Sequence, residues 1–315
     1  MTVPFKNVLD KYLAIIEDEM AHIDSYQTVP LFYDPIHYML DLKGKRIRPL
    51  LTLLSAMTFG AKASEAKYAA AAVELLHNFT LVHDDIMDKD ATRRGKPTIH
   101  TKWDIGTAIL AGDGLMGLSF RKLLQSPRGD IPAMMGRLTE TMIVICEGQG
   151  LDKTFENMEN VSLEIYLDMI ARKTAVLIEM ACELGGMEAE ADKDSIQTLK
   201  EYGYALGMGF QIQDDYLDIT ADENILGKKI GSDLQMRKKT ILTILLRELT
   251  GSNDFFNLEL ADFKKLMNEY QIPDRVKTMY TEYFDTAYEN LALLPSNDYA
   301  LQLKELTDFL KNRSW

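Results

Sequence analysis

Residues 75–88 read LLHNFTLVHDDIMD, and residues 210–218 read FQIQDDYLD. Each closes a long apolar, helix-period run with a carboxylate triplet. Asp84, Asp85 and Asp88 form the first, and Asp214, Asp215 and Asp218 form the second. On an α-helix the first and last Asp of each triplet lie one turn apart and face the same point in space. Both runs pass into polar sequence, at Lys89 and at Thr220. Each triplet therefore sits near a helix C-terminus, the negative pole of the macrodipole, where acids are unfavourable. Three acids at that pole, twice, make sense if divalent cations fill the space between them.

Outward from these triplets, apolar residues recur at three- and four-residue spacing almost everywhere, and strand-like alternation is nearly absent. The pattern predicts an all-α chain with helices at 3–25, 46–59, 64–88, 101–125, 131–150, 161–185, 193–219, 238–249, 259–270, 273–292 and 297–312. Pro49 suits a first helical turn. Gly60, Ser126-Pro127-Arg128-Gly129, Gly185-Gly186 and Pro295 read as turns. The polar segments Lys89–His100 and Ala221–Arg237 each follow a triplet directly and read as loops that cover a substrate. No low-complexity linker divides residues 1–315, so a single domain is expected. The triplets stand 130 residues apart, from Asp84 to Asp214, and are expected to close on one cavity from opposite sides.

The net charge is −13, from 35 Lys and Arg against 48 Asp and Glu, and 46% of the 315 residues are hydrophobic. That balance argues against general binding to nucleic acid or anionic membrane, and it makes any local basic cluster informative. Two cysteines, Cys146 and Cys182, cannot build a disulfide framework and point to a reducing cytoplasm. Both lie in apolar helical stretches and read as buried, inert thiols. The N-terminal residues lack a signal-peptide layout, and no run approaches the roughly 18 apolar residues of a membrane span.

Carboxylates at one-turn spacing suit a hard cation such as Mg²⁺, which bridges one or two of them to substrate phosphates. No Cys/His pattern suggests zinc. Basic residues cluster beside the triplets. Lys45, Arg46 and Arg48 stand at an expected helix start, a ready anion site. Arg93, Arg94 and Lys96 follow the first triplet, and Lys228, Lys229, Arg237, Lys238 and Lys239 follow the second. Lys173-Thr174 lies mid-helix in an apolar setting. His77 is two turns before Asp84 on roughly the same face. A lone helical histidine is more often a satisfied core residue, so core and ligand readings both stand.

Together these residues resemble the trans-isoprenyl diphosphate synthases, the head-to-tail prenyltransferases. The resemblance runs from about Lys43 to Thr240 and rests on GKRIRP, LLHNFTLVHDDIMD, RRGKPT, GQGLD, KTA, FQIQDDYLD, GKKIGSDL and a Lys-Lys-Thr, in the family's order. One departure is Lys43, where the family usually has the first of two glycines. The resemblance implies an all-α, single-domain bundle of antiparallel helices around a deep cavity, the isoprenoid synthase type I fold. It implies Mg²⁺, about three ions per site with substrate bound. Asp84, Asp85, Asp88, Asp214, Asp215 and Asp218 match the two metal motifs, with Asp84, Asp88 and Asp214 as principal ligands. Isopentenyl diphosphate would be held by Lys45, Arg48, His77 and Arg94. The allylic diphosphate would be held by Arg93, Lys173, Gln211, Lys228 and Lys238. Lys173, Thr174 and Gln211 would stabilise the cation formed when the allylic C–O bond ionises.

The resemblance further implies a cytoplasmic homodimer, whose interface the apolar positions at 101–150 could supply. Chain length would be gated by Phe79 and Thr80, five and four residues before the first Asp. An aromatic at the fifth position alone resembles the short-chain synthases that make farnesyl or geranylgeranyl diphosphate. Ordinary core packing of Phe79 is an equal alternative. A class I terpene cyclase would share the fold and the ionisation step, but usually carries an Asn/Asp–Ser/Thr–Glu second motif. A non-catalytic subunit of a heteromeric synthase often lacks one triplet or the basic clamp, and both are present here.

Overall fold

A computed structural model describes residues 3–23, 29–42, 44–220 and 231–313. Among them the chain is helical almost throughout. The helices are α1 (Val3–Ala21), α2 (Pro30–Asp41), α3 (Ile47–Thr58), α4 (Ala63–Met87), α5 (Ile99–Lys102), α6 (Ile105–Leu123), α7 (Ile131–Phe155), α8 (Leu163–Ile170), α9 (Val176–Glu188), α10 (Lys193–Thr220), α11 (Ser232–Gln235), α12 (Ile241–Thr250), α13 (Leu260–Glu269), α14 (Ile272–Leu291) and α15 (Asp298–Lys311). A π-turn, Ala171–Ala175, joins α8 to α9. The only sheet among the described residues is a hairpin of β1 (Thr92–Arg93) and β2 (Lys96–Pro97). Contacts divide the chain into two compact units. One holds Met1–Met142, Met180–Lys200 and Leu294–Leu303, and the other holds Ile143–Glu179, Glu201–Leu293 and Lys304–Trp315.

In the first unit α4 packs on α3 and α6. The α4 face that does so is small: Ala66, Ala69, Ala70, Ala71 and Ala72 are fully buried. Small residues let the helix axes approach, and α6 answers with Gly112 and Gly114. A Cβ on Gly114 would lie 2.6 Å from the Phe32 ring of α2. Ser119 on α6 donates to the Ala72 carbonyl at 2.8 Å, which pins the two helices in register. Leu50, Leu51, Leu53 and Leu54 of α3 are buried beside them, each worth about 1.5–3 kcal/mol of transfer free energy.

In the second unit α8 and α14 both contact α12. Tyr166, Tyr202, Phe263 and Phe284 are its largest fully buried side chains. The Tyr202 hydroxyl is satisfied by Thr307 at 2.9 Å. Here too glycine sets close approach, since a Cβ on Gly207 of α10 would lie 2.6 Å from Cα of Ala175 in the π-turn.

Several elements depart from the sequence reading. Residues 30–41 form a helix outside the expected set, and it carries two prolines, Pro30 and Pro35. Pro30 occupies the first turn, where its missing N–H is no loss, and Pro35 is carried inside the helix. Gly185-Gly186 is not a turn but lies within α9. Gly185 is a packing residue, since a Cβ there would lie 2.5 Å from the Thr52 carbonyl. The segment expected as one helix at 161–185 is interrupted by the π-turn. The expected loop at Lys89–His100 contains the hairpin, whose turn residues Arg94 and Gly95 have φ 51 and φ 73. Two successive positive φ values are what a two-residue primed turn requires. Cys182 is buried, but Cys146 is exposed, because its position on α7 faces solvent. Most of the segment expected to cover the second triplet, including Lys228 and Lys229, lies outside the described residues, as does Lys43.

Candidate active site

The first triplet ends α4. Asp88 is the C-cap residue, its N–H donating to the Asp84 carbonyl at 2.8 Å, and Lys89 then turns the chain with φ 58. Asp84 and Asp88 are half-buried, whereas Asp85 is buried. Arg93 braces Asp85, with Nε and Nη2 at 2.8 Å and 2.6 Å from Oδ1. Burial pushes the Asp85 carboxyl up, and Arg93 pulls it back. The hairpin therefore delivers Arg93 to the middle carboxylate of the triplet.

The early basic motif splits in two. Arg46, with φ 49, is buried and serves the fold. Its Nε donates to Glu17 at 2.8 Å, Nη1 to Glu74 at 2.6 Å and Nη2 to the Leu40 carbonyl at 2.6 Å. Lys45 is exposed and Arg48 half-buried. Arg48 Nη1 donates to His77 Nε2 at 3.2 Å. Burial lowers the His77 pKa well below its ordinary value, and the positive fields of Arg48, Arg94, Arg93 and Arg46 lower it further. The imidazole is neutral, and because Arg48 can only donate, Nδ1 carries the proton. Arg94 donates through Nη1 to the Leu42 carbonyl. Its guanidinium lies over Gly44, where a Cβ would come within 2.6 Å of Nη2. The GKRIRP and RRGKPT motifs thus meet, and only glycine at 44 leaves room for the contact.

Upstream of Asp84, Phe79 is buried and packs edge-to-face on His83, with ring centroids 4.9 Å apart. The His83 ring fits a notch that exists because residue 112 is glycine. The Thr80 hydroxyl donates to the His77 carbonyl at 2.8 Å.

The second triplet lies in the last turns of α10. Its middle member, Asp215, is again buried, but its braces are neutral. Tyr166 donates to Oδ2 at 2.6 Å and Gln211 Nε2 to Oδ1 at 2.8 Å. Burial, with the negative field of Asp233, pushes Asp215 up to about 7. Thr174 donates to Gln211 Oε1 at 2.9 Å, so Thr174, Gln211, Asp215 and Tyr166 form one hydrogen-bonded chain. Lys173, in the π-turn, donates to Asp152 at 2.5 Å. Gly148 allows α7 to reach that turn: a Cβ there would sit 2.8 Å from the carbonyl carbon of Arg172. π-turns within helices are frequent at functional sites.

Asp214 has an exposed side chain, and Arg313 Nη1 lies 3.3 Å from its Oδ1. Asp218 accepts from the Asp233 N–H at 3.2 Å. Asp233 is pushed up to about 6 by burial and by Asp218, and lies 3.6 Å from Lys238 Nζ.

Among the described residues no three His, Cys, Asp or Glu side chains already converge as a metal cage. The donor set nevertheless fits Mg²⁺. Each triplet offers an outer pair of oxygen donors one turn apart, while its middle carboxylate is committed to protein partners. Mg²⁺ is typically held by one or two carboxylates, waters and substrate phosphates. Asp152 and Asp233 lie in motifs that carry the family resemblance, but had no role attached. Tyr166 and Arg313 carry no signal in the sequence, being a lone aromatic within a helical stretch and a cation just past the end of one.

A family model described as polyprenyl synthetase matches residues 29–278. A geranylgeranyl diphosphate synthase of Sulfolobus acidocaldarius is 37% identical over 303 residues, covering 90% of this chain and 92% of its own. The crystal structure of geranylgeranyl pyrophosphate synthetase from Pyrococcus horikoshii superposes with a TM-score of 0.92 at 32% identity, covering 98% of each chain. A polyprenyl synthase from Caulobacter crescentus, solved with calcium and isoprenyl diphosphate, gives 0.85 at 30% identity, covering 98% of this chain and 96% of that one. This chain belongs to the polyprenyl synthetase family and has its all-α isoprenoid synthase fold. It is a prenyltransferase of the short-chain trans type.

Proposed function

We propose that this prenyltransferase condenses isopentenyl diphosphate head-to-tail with an allylic diphosphate to give an all-trans geranylgeranyl or farnesyl diphosphate. The observation that carries the proposal is the shared plan of the two triplets, an outer pair of half-buried or exposed carboxylates one turn apart around a buried, braced middle one. Asp84 and Asp88, with Asp214 and Asp218, are the proposed Mg²⁺ ligands, while Asp85 and Asp215 hold the helix ends in shape. Bound Mg²⁺ supplies the positive charge that lets the allylic diphosphate leave. Lys173 and Lys238 add charge to the diphosphate from this chain, and Lys228 is proposed to join them. Arg93 secures Asp85.

Lys45, Arg48 and Arg94 supply the anion site for isopentenyl diphosphate, and neutral His77 offers its Nδ1–H as a donor. The Thr174 hydroxyl oxygen, held by its bond to Gln211, keeps lone pairs that can face the developing allylic cation. The isopentenyl double bond attacks C1 of that cation, and the released proton goes to the departing diphosphate. Phe79 limits product growth. The chain is proposed to act in the cytoplasm as one homodimeric enzyme. Exposed Ile105, Ile109 and Leu110 on α6 support an apolar association surface. No helix among the described residues is long and apolar enough to cross a membrane.

Purified protein incubated with Mg²⁺, labelled isopentenyl diphosphate and dimethylallyl, geranyl or farnesyl diphosphate is expected to yield an extended prenyl diphosphate with at least one primer. No extension with any of the three would refute the proposal.

A further inference from the structure

Arg313 follows α15 and has no part in the chemistry above. Its charged side chain is only 4% exposed. Every arm of it is tied to one stretch of α10. Nε donates to Gln213 Oε1 at 2.8 Å, and Nη2 donates to the Phe210 carbonyl at 2.8 Å. The guanidinium carbon lies 3.8 Å from the Phe210 ring centroid, and Nη1 lies 3.3 Å from Asp214 Oδ1. Gln213 returns the contact by donating to the Lys311 carbonyl at 2.7 Å. Lys311 is fixed in turn by Asp285 at 2.7 Å. Three of the four Arg313 contacts hold the guanidinium in place whatever Asp214 does. The fourth engages a carboxylate proposed to bind metal.

We infer that Arg313 is a positioning residue for the second carboxylate triplet, holding Asp214 through an ion pair that competes with a bare divalent cation and that a metal–diphosphate lets Arg313 exchange for phosphate oxygens. The inference rests on the proposed metal role of Asp214. Asp214, Asp215, Asp218 and Asp233 all belong to this one end of α10 and the residues bonded to it, and without a counter-charge they repel. A fixed guanidinium relieves that repulsion. It also opposes a metal ion arriving alone, because the displaced guanidinium stays nearby as a like charge. An ion arriving with diphosphate brings anionic oxygens, which Arg313 accepts as new partners in its planar fork. The second triplet therefore prefers metal with diphosphate to metal alone.

Mn²⁺ is a spectroscopically visible substitute for Mg²⁺. Its affinity is measured by electron paramagnetic resonance in the full chain, with and without inorganic pyrophosphate, for the unmodified protein, Arg313→Met and Arg313→Lys. Circular dichroism checks folding. Arg313→Met is expected to raise the affinity for Mn²⁺ alone about three- to tenfold, the scale of one solvent-screened unit charge nearby. It is also expected to cut the enhancement by pyrophosphate about tenfold. Arg313→Lys, which keeps the charge but lacks the planar fork, should leave the affinity for Mn²⁺ alone near that of the unmodified protein and lose part of the pyrophosphate enhancement. A merely structural prop would lower both affinities together and leave their ratio unchanged; an unchanged ratio in Arg313→Met overturns the inference. Asp214→Asn separates the two levels. If it binds Mn²⁺ as the unmodified protein does, the metal role of Asp214 fails, and the role of Arg313 falls with it.

Discussion

The two carboxylate triplets share a spacing and differ in how their middle member is held. Asp85 is braced by a cation, Arg93. Asp215 is braced by two neutral donors, Tyr166 and Gln211, beside another acid, Asp233. One brace pulls a burial-raised carboxyl back toward its ordinary range. The other leaves it pushed up to about 7. Identical spacing therefore hides two electrostatic designs. The outer carboxylates, which carry the proposed chemistry, share their one-turn spacing in the two triplets, and the supports beneath the middle ones differ.

That contrast can be broken at its largest effect first. If the outer carboxylates do the same job, Asp84→Ala and Asp214→Ala should each lower kcat/KM by about 10³-fold or more while circular dichroism stays unchanged. Near-normal turnover in both variants would mean the metal roles are misassigned. The middle carboxylates should separate the triplets by stability. Asp85→Asn strips the partly buried Arg93 of its counter-ion and should cost about 2–4 kcal/mol in urea unfolding. Asp215→Asn keeps a neutral acceptor for Tyr166 and should cost less than about 1 kcal/mol. Equal losses would contradict the difference between the braces.

Two smaller effects sharpen the picture. Phe79→Ala removes the buried ring that rests on His83 and should shift products toward longer prenyl chains, read by chromatography after dephosphorylation. An unchanged spectrum would make Phe79 a packing residue. Glu188, in α9, is a buried carboxylate outside either triplet, pushed up to about 7 chiefly by burial. Its folded pKa lies above its unfolded one, so the folded state holds the extra proton. Stability should therefore fall as pH rises from about 4.5 to about 7, by at most about 3 kcal/mol. Glu188→Gln should flatten that slope and be the more stable form at pH 8. A slope that survives the substitution would assign it to other groups.

Much of the fold was legible because helix periodicity is strong and the triplets mark helix ends. Asp84–Asp88 does end α4, and Asp214–Asp218 does lie in the last turns of α10. What stayed hidden had physical causes. Helix α2 lay outside the expected set, and it carries Pro30 and Pro35; a proline tolerated in a helix reads like one that breaks it. Gly185-Gly186 read as a turn because sequence cannot tell conformational freedom from close packing against α3. The π-turn at Ala171–Ala175 adds a residue to the helical ladder without any change in composition.

At the site, residue types and spacing pointed to the carboxylates and the basic clusters. They could not tell a buried structural arginine, Arg46, from its neighbours Lys45 and Arg48. Spacing set the outer carboxylates apart from the middle ones, but it could not show what holds the middle ones, because Arg93 reaches Asp85 only through the hairpin and Tyr166 reaches Asp215 from another helix. Arg313 was invisible for the same reason: its meaning lies in Phe210, Gln213 and Asp214, about a hundred residues away.

The most direct measurement is a crystal structure with Mg²⁺ and an unreactive allylic thiolodiphosphate. Metal ions should lie about 2.0–2.1 Å from oxygens of Asp84, Asp88 and Asp214. Asp85 should still be on Arg93 and Asp215 still on Tyr166. Metal bound by the middle carboxylates in place of the outer ones, or diphosphate bound with no ion at either triplet, would contradict the account.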